Sequence, residues 1–154
     1  MTGPSKTAAV VSLGILAVLL AFGAVILVNL AGTPVIEAII PGSLDEDGMP
    51  TTTASRVLLK GVIFAAGVAG AVVVVLVAPV RPLLHIWILL GLYLVVDTLA
   101  VVALWDRQPL WFTLLILPLV FPQVWVGWHL GMRLRRRLRP GLPVRSAAHE
   151  AAER

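Results

Sequence analysis

GLYLVVDTLAVVALW, residues 91–105, holds one charged side chain, Asp97, among aliphatic neighbours. Traced back to residue 83, the run gives an apolar segment of about residues 83–104, close to the roughly 20 residues that cross about 30 Å of hydrocarbon. Whether this is a core helix or a membrane span is decided by the rest of the chain. Of 154 residues, 59% are hydrophobic and 13% charged, and the mean hydropathy is +0.99. A soluble domain of this length needs far more polar surface. The chain reads as one integral membrane domain, residues 1–154.

Three further runs match the first: about residues 8–30, 57–78 and 110–130. In hydrocarbon each backbone must satisfy its own hydrogen bonds, so each run predicts a helix, even Val-rich AVVVVLV (residues 71–77). The expected fold is an all-α membrane protein, a four-transmembrane-helix bundle. AGTP (31–34) marks the end of the first span. APVRP (78–82) and WDRQP (105–109) are short joins that make their flanking spans antiparallel neighbours. Pro118 and Pro122 each remove a backbone donor and predict kinks in the fourth span.

Basic residues set the expected orientation. Lys6, Arg81 and the run RLRRRLRP (133–140) face the cytoplasm if both termini do, which places the acidic loop of residues 31–55 outside. Arg56 and Arg107 fall on the outer edge against this trend. Arg133, Arg135, Arg136, Arg137 and Arg139 read as a topology anchor on anionic lipid at the cytoplasmic face of a bacterial plasma membrane, not as a nucleic-acid site. The basic tail covers residues 131–154, with Pro140 and Pro143 stopping the helix. The first apolar run exceeds the usual 7–15-residue core of a signal peptide, and no small-x-small cleavage site follows it, so it is expected to be retained.

Within the outer loop, TPVIEAIIPG (33–42) carries the punctuation of a short interfacial helix. Thr33 suits the cap, Pro34 the first turn, and Pro41-Gly42 the stop. LDEDG (44–48) lacks the alternating ligand spacing of a calcium loop and reads as a solvated acidic turn.

Asp97 lies about 12 Å below the outer edge at 1.5 Å per residue, and Lys60 about 6 Å below it. An unpaired carboxylate at that depth costs at least a few kcal/mol. One reading is a buried Lys60–Asp97 pair that fixes helix register. The other is a proton or cation site, with Asp97 poised between burial and the neighbouring ammonium.

His85 and His129 both fall towards the cytoplasmic edge, where two facing imidazoles form a possible haem b or quinone-linked site with Trp87, Trp125 and Trp128 nearby. Interfacial anchoring accounts for the same residues without a cofactor, and none is predicted. Gly61, Ala65 and Ala69 form one small-residue row on the second span, and Ala66 and Gly70 another, suited to close helix packing within the bundle or against a partner subunit. There is no cysteine, which excludes thiolate catalysis and cysteine-held metal. No nucleotide loop, Ser-His-Asp order or zinc-protease helix occurs. The chain therefore reads as a non-catalytic multi-pass protein. Its first expected role is an accessory or assembly subunit that contacts other membrane subunits or itself. The second is a small proton- or cation-coupled transporter using Asp97, and the third a redox anchor using His85 and His129.

Overall fold

The computed structural model describes residues 4–78 and 80–138, with side chains from residue 8 onward. Among them are five helices: α1 (Pro4–Ile39), α2 (Thr53–Val77), α3 (Pro82–Leu104), α4 (Leu110–Leu114) and α5 (Ile116–Leu138). Four segments are long and apolar enough to cross a membrane, with α4 and α5 together making the fourth. The protein is a four-helix multi-pass membrane bundle. The end holding residues 40–52 and 105–109 is here the loop end; the opposite end, with residues 78–81 and the last turns of α5, is the tail end.

Helix α2 is central. It packs most extensively on α1 and α5, and α3 closes the bundle against α5, α2 and α1. Glycines set these distances, because a Cβ would collide with the neighbouring helix. At Gly32 it would overlap Val62. At Gly127 it would stand 2.5 Å from the Ala71 Cβ and 2.7 Å from the Val68 carbonyl, and at Gly131 2.8 Å from the Val75 Cβ. Between the helices, Ala21, Ala71, Val74, Leu89 and Val120 are fully buried. Outward-facing Leu27, Leu30, Leu99 and Val102 are more than 60% exposed, as lipid-facing side chains of a membrane bundle are.

Two features of the loop end depart from the sequence reading. The expected interfacial helix at residues 33–42 is not separate: α1 runs unbroken through Pro34 to Ile39. Its 36 residues make it about 54 Å long at 1.5 Å per residue. Pro34 removes one bond to the Leu30 carbonyl, but packing holds the last turns, with Gly32 against Val62 and Ile36 only 1% exposed. Asn29 Nδ2 donates to the Val25 carbonyl at 2.9 Å on the same stretch. The fourth span is the one that breaks, at Leu115 between α4 and α5. Pro118, in the first turn of α5, offers no N–H to the Leu114 carbonyl and its ring crowds it. Pro122 lies within continuous α5.

The 40–52 loop is ordered by its own polar groups. Gly42 and Gly48 take positive φ (71° and 74°), which only glycine adopts freely. Asp45 Oδ1 accepts the amides of Asp47 (3.0 Å) and Met49 (2.8 Å), and Leu44 and Pro50 form an isolated antiparallel bridge. Thr52 and Ser55 make a reciprocal capping box that starts α2. Both basic residues at this end have local partners: Arg107 pairs with Asp47, and Arg56 Nε donates to Gln108 Oε1 at 2.9 Å. At the tail end Arg135 donates to the Val75 carbonyl at 2.9 Å, so it caps the last turn of α2 rather than serving lipid alone. Arg133, Arg136 and Arg137 are exposed, and Arg139 lies outside the described residues.

The glycine contacts distinguish two substitutions of identical chemistry. Gly127→Ala is expected to destabilise by about 1–3 kcal/mol, because helices must separate to admit the methyl. Gly61→Ala meets nothing within 4 Å and should be neutral or stabilising by up to about 1 kcal/mol through helix propensity. Thermal unfolding in one detergent compares them; equal midpoints would contradict the close α2–α5 approach.

Candidate functional site

Four buried side-chain polar atoms have no hydrogen-bond partner among the described residues: Ser43 Oγ, Lys60 Nζ, Tyr93 OH and Gln123 Oε1. The last three line one cavity of about 260 Å³ in the half of the bundle nearer the loop end, and Asp97 lies in the same wall. Each unpartnered buried group costs roughly 1–3 kcal/mol, a large sum beside the 5–15 kcal/mol that holds a typical fold. Their convergence on one space is the chemical signature of this protein.

The helices place these groups by periodicity. On α2, Lys60, Ile63 and Gly67 share the cavity-facing stripe; on α3, Tyr93, Asp97, Ala100 and Leu104 do. The two glycines of α2 make room for the polar side chains opposite. A Cβ at Gly67 would overlap the Gln123 carboxamide, and one at Gly70 the Tyr93 hydroxyl. Asn29 of α1 and Met49 of the loop complete the end of the cavity.

Lys60 is only 8% exposed, and its ammonium sits 3.8 Å from the centroid of the Phe112 ring. A desolvated cation on an aromatic face gains about 2 kcal/mol, and the ring accepts none of the three N–H bonds. The break at Leu115 sets α4 apart as its own element, and α4 carries Phe112, 1% exposed, to this position. Asp97 is half-buried and forms no hydrogen bond to the described residues. Neither does it meet Lys60 in an ion pair within 4 Å. The contact pair expected from helix register is thus not formed; the two charges face a common space instead. Thr98, next to Asp97 on α3, donates to the Leu94 carbonyl at 2.6 Å.

The histidines are not brought together. His85 lines a cleft between α1 and α3, with its ring against Gly14; His129 lines the Trp-rich groove between α3 and α5 with Trp87, Trp125 and Trp128. Each Nδ1 lies within hydrogen-bond distance of a carbonyl on its own helix, Arg81 at 3.2 Å and Trp125 at 2.9 Å. His85 thus leaves α3 towards α1 while His129 lies between α3 and α5, without the facing geometry of two axial ligands. The small-residue rows also divide. Ala66 and Gly70 are buried, Gly61 and Ala65 face outward, and Ala69 is intermediate.

Tyr93, as a possible partner of Asp97, and Gln123, as the only amide of the fourth span, are legible in the sequence, whereas Phe112 is not singled out. Tyr93 had a readable signal, since it lies one turn from Asp97 on the same face. Phe112 had none, because its position follows from the α4–α5 break. Comparison with protein-family models, with curated proteins and with solved structures finds no match.

The cavity wall is testable through Gly67. Gly67→Ala should push the Gln123 side chain from its place and destabilise by about 1–3 kcal/mol. Gln123→Ala in the same chain should recover part of that loss. Strictly additive effects in unfolding experiments would show that the two residues do not touch.

Proposed function

We propose that this multi-pass membrane protein is a small proton- or cation-coupled carrier. In this reading Asp97 is the ion-binding group and Lys60 its counter-charge across the binding space. The observation that supports it is the gathering of Lys60, Tyr93 and Gln123, whose buried polar atoms have no hydrogen-bond partner among the described residues, with half-buried Asp97 around one cavity. A charge held for helix register alone is better served by direct contact. Ionisable groups facing a cavity inside a membrane are the usual elements of ion and substrate paths.

The orientation we propose puts both termini in the cytoplasm of a bacterial cell. Exposed Arg133, Arg136 and Arg137 then meet anionic lipid at the inner face. Arg56 and Arg107, which dissent from this orientation by charge, are matched locally by Gln108 and Asp47. The cavity then lies in the outer half of the membrane.

A second reading, an accessory subunit of a larger membrane complex, is favoured by a separate feature. Gly61 and Ala65 present an outward face of α2, and nothing in the bundle lies within 4 Å of a Cβ at Gly61. Such a surface admits close approach of another helix.

In proteoliposomes given a small-solute extract of cells and an imposed ion gradient, Asp97→Asn should lower ion entry at least ten-fold. It should do so with unchanged helicity and elution. Entry at the wild-type rate in that variant removes Asp97 as the coupling group. Recovery of the gently solubilised protein with stoichiometric different chains, lost on Gly61→Leu, would favour the accessory reading instead.

A further inference from the structure

The carrier reading leaves the solute unnamed, and the distribution of unused donors and acceptors narrows it. Lys60 offers three N–H donors and Tyr93 one O–H donor, none of them bonded to the described residues. Asp97 offers acceptors that no described residue uses, and Gln123 Oε1 one more. The cavity thus gathers donors, Lys60 and Tyr93, that suit an anionic group and acceptors, Asp97 and Gln123, that suit a cationic one.

The charges point the same way. Lys60 and Asp97 sum to zero, and a solute of zero net charge keeps that balance in low dielectric. A molecule carrying both charges pairs each of them. Lys60 and Asp97 do not meet within 4 Å, although both line the cavity, so neither is closed off by a direct ion pair. Phe112 holds the Lys60 ammonium without occupying its N–H donors. Gly70 admits the Tyr93 hydroxyl, and any larger residue there would displace it.

Size and lining complete the description. About 260 Å³ falls just below the roughly 300–1,000 Å³ of pockets for drug-sized ligands. The remaining wall includes Phe22, Val25, Ile63 and Phe112 and suits methyl and methylene groups. We infer that the cavity binds a small aliphatic zwitterion, its anionic group on Lys60 and Tyr93 and its cationic group at Asp97. This rests on the carrier reading for its purpose, although binding is measured apart from transport. A free solute of amino-acid or betaine type and the headgroup of a zwitterionic lipid share this chemistry.

The test uses the full chain in nanodiscs of phosphatidylglycerol, with calorimetric titration of glycine betaine and of alanine. Propionate and tetramethylammonium serve as single-charge probes. At least one zwitterion should bind ten-fold or more tighter than either single-charge probe. Lys60→Met and Asp97→Asn should each weaken it at least ten-fold. Tyr93→Phe, which keeps the ring packed, should weaken zwitterion and propionate but not tetramethylammonium, and it carries the test if either charge variant misfolds. Discs containing phosphatidylethanolamine distinguish the sources: lipid that blocks betaine and alanine, or that is retained alone in native mass spectrometry, assigns the site to a headgroup. Single-charge probes binding as tightly as the zwitterions, or no zwitterion bound in free or lipid form, overturns the inference. Asp97-dependent ion entry with no zwitterion bound sinks this inference and leaves the carrier reading. Zwitterion binding without ion entry does the reverse.

Discussion

The close approach of α2 to its neighbours is the constraint on which the rest depends. Within hydrocarbon there is little hydrophobic drive between helices, so association rests on contact and on polar groups. Gly32, Gly127 and Gly131 let α1 and α5 approach α2 until side chains meet backbone. That places Val74, Leu89 and Val120 in a core free of solvent. It also fixes the angular position of α2, and with it which side chains face inward. Lys60 comes inside because it shares the stripe of Gly67 and Gly70, not because a partner carboxylate draws it in.

From that position the polar chemistry follows. A buried ammonium has to be stabilised by something, and a carboxylate in contact is the usual solution. Here the first support is the face of Phe112. A ring stabilises positive charge without consuming hydrogen-bond donors. Asp97 remains close enough to share the cavity and too far to form an ion pair. The combination keeps both charges available, which a register-fixing contact does not.

Much of this fold was legible because membranes impose simple rules. Length and hydropathy define four spans, and short joins define neighbours. What was not legible depends on competition between local and tertiary terms. Pro34 looks like a helix start, yet α1 passes through it, since packing at Gly32 and Ile36 outweighs one lost hydrogen bond. Pro118 does break its span, because it falls where the chain can turn at Leu115 into a separate short helix. The depths of Lys60 and Asp97 were countable along the axis, which placed them near one another. Azimuth and the intervention of Phe112 were not countable, and these decide that the charges share a space rather than a bond. His85 and His129 fail in the same way: similar depth, different sides of α3.

The same competition explains why the site sits towards the loop end. Around Ala71, Val74 and Val75 the core is aliphatic, with Tyr93 at its edge and Arg135 reaching the Val75 carbonyl. Nearer the loop end the α4–α5 break sets Phe112 on its own short helix, and the cavity lies there among residues of all four spans. The loop-end clamps, Arg107 with Asp47 and Arg56 with Gln108, tie the 40–52 loop and the start of α2 to the α3–α4 join. They are partly or fully exposed contacts, each worth about 1 kcal/mol or less. Glycine contacts hold the helices in both halves, Gly127 and Gly131 towards the tail end and Gly32 towards the loop end, and the loop-end clamps add weak, screened bonds to the latter. Local opening costs least at those exposed bonds, which lie at the same end of the bundle as the cavity.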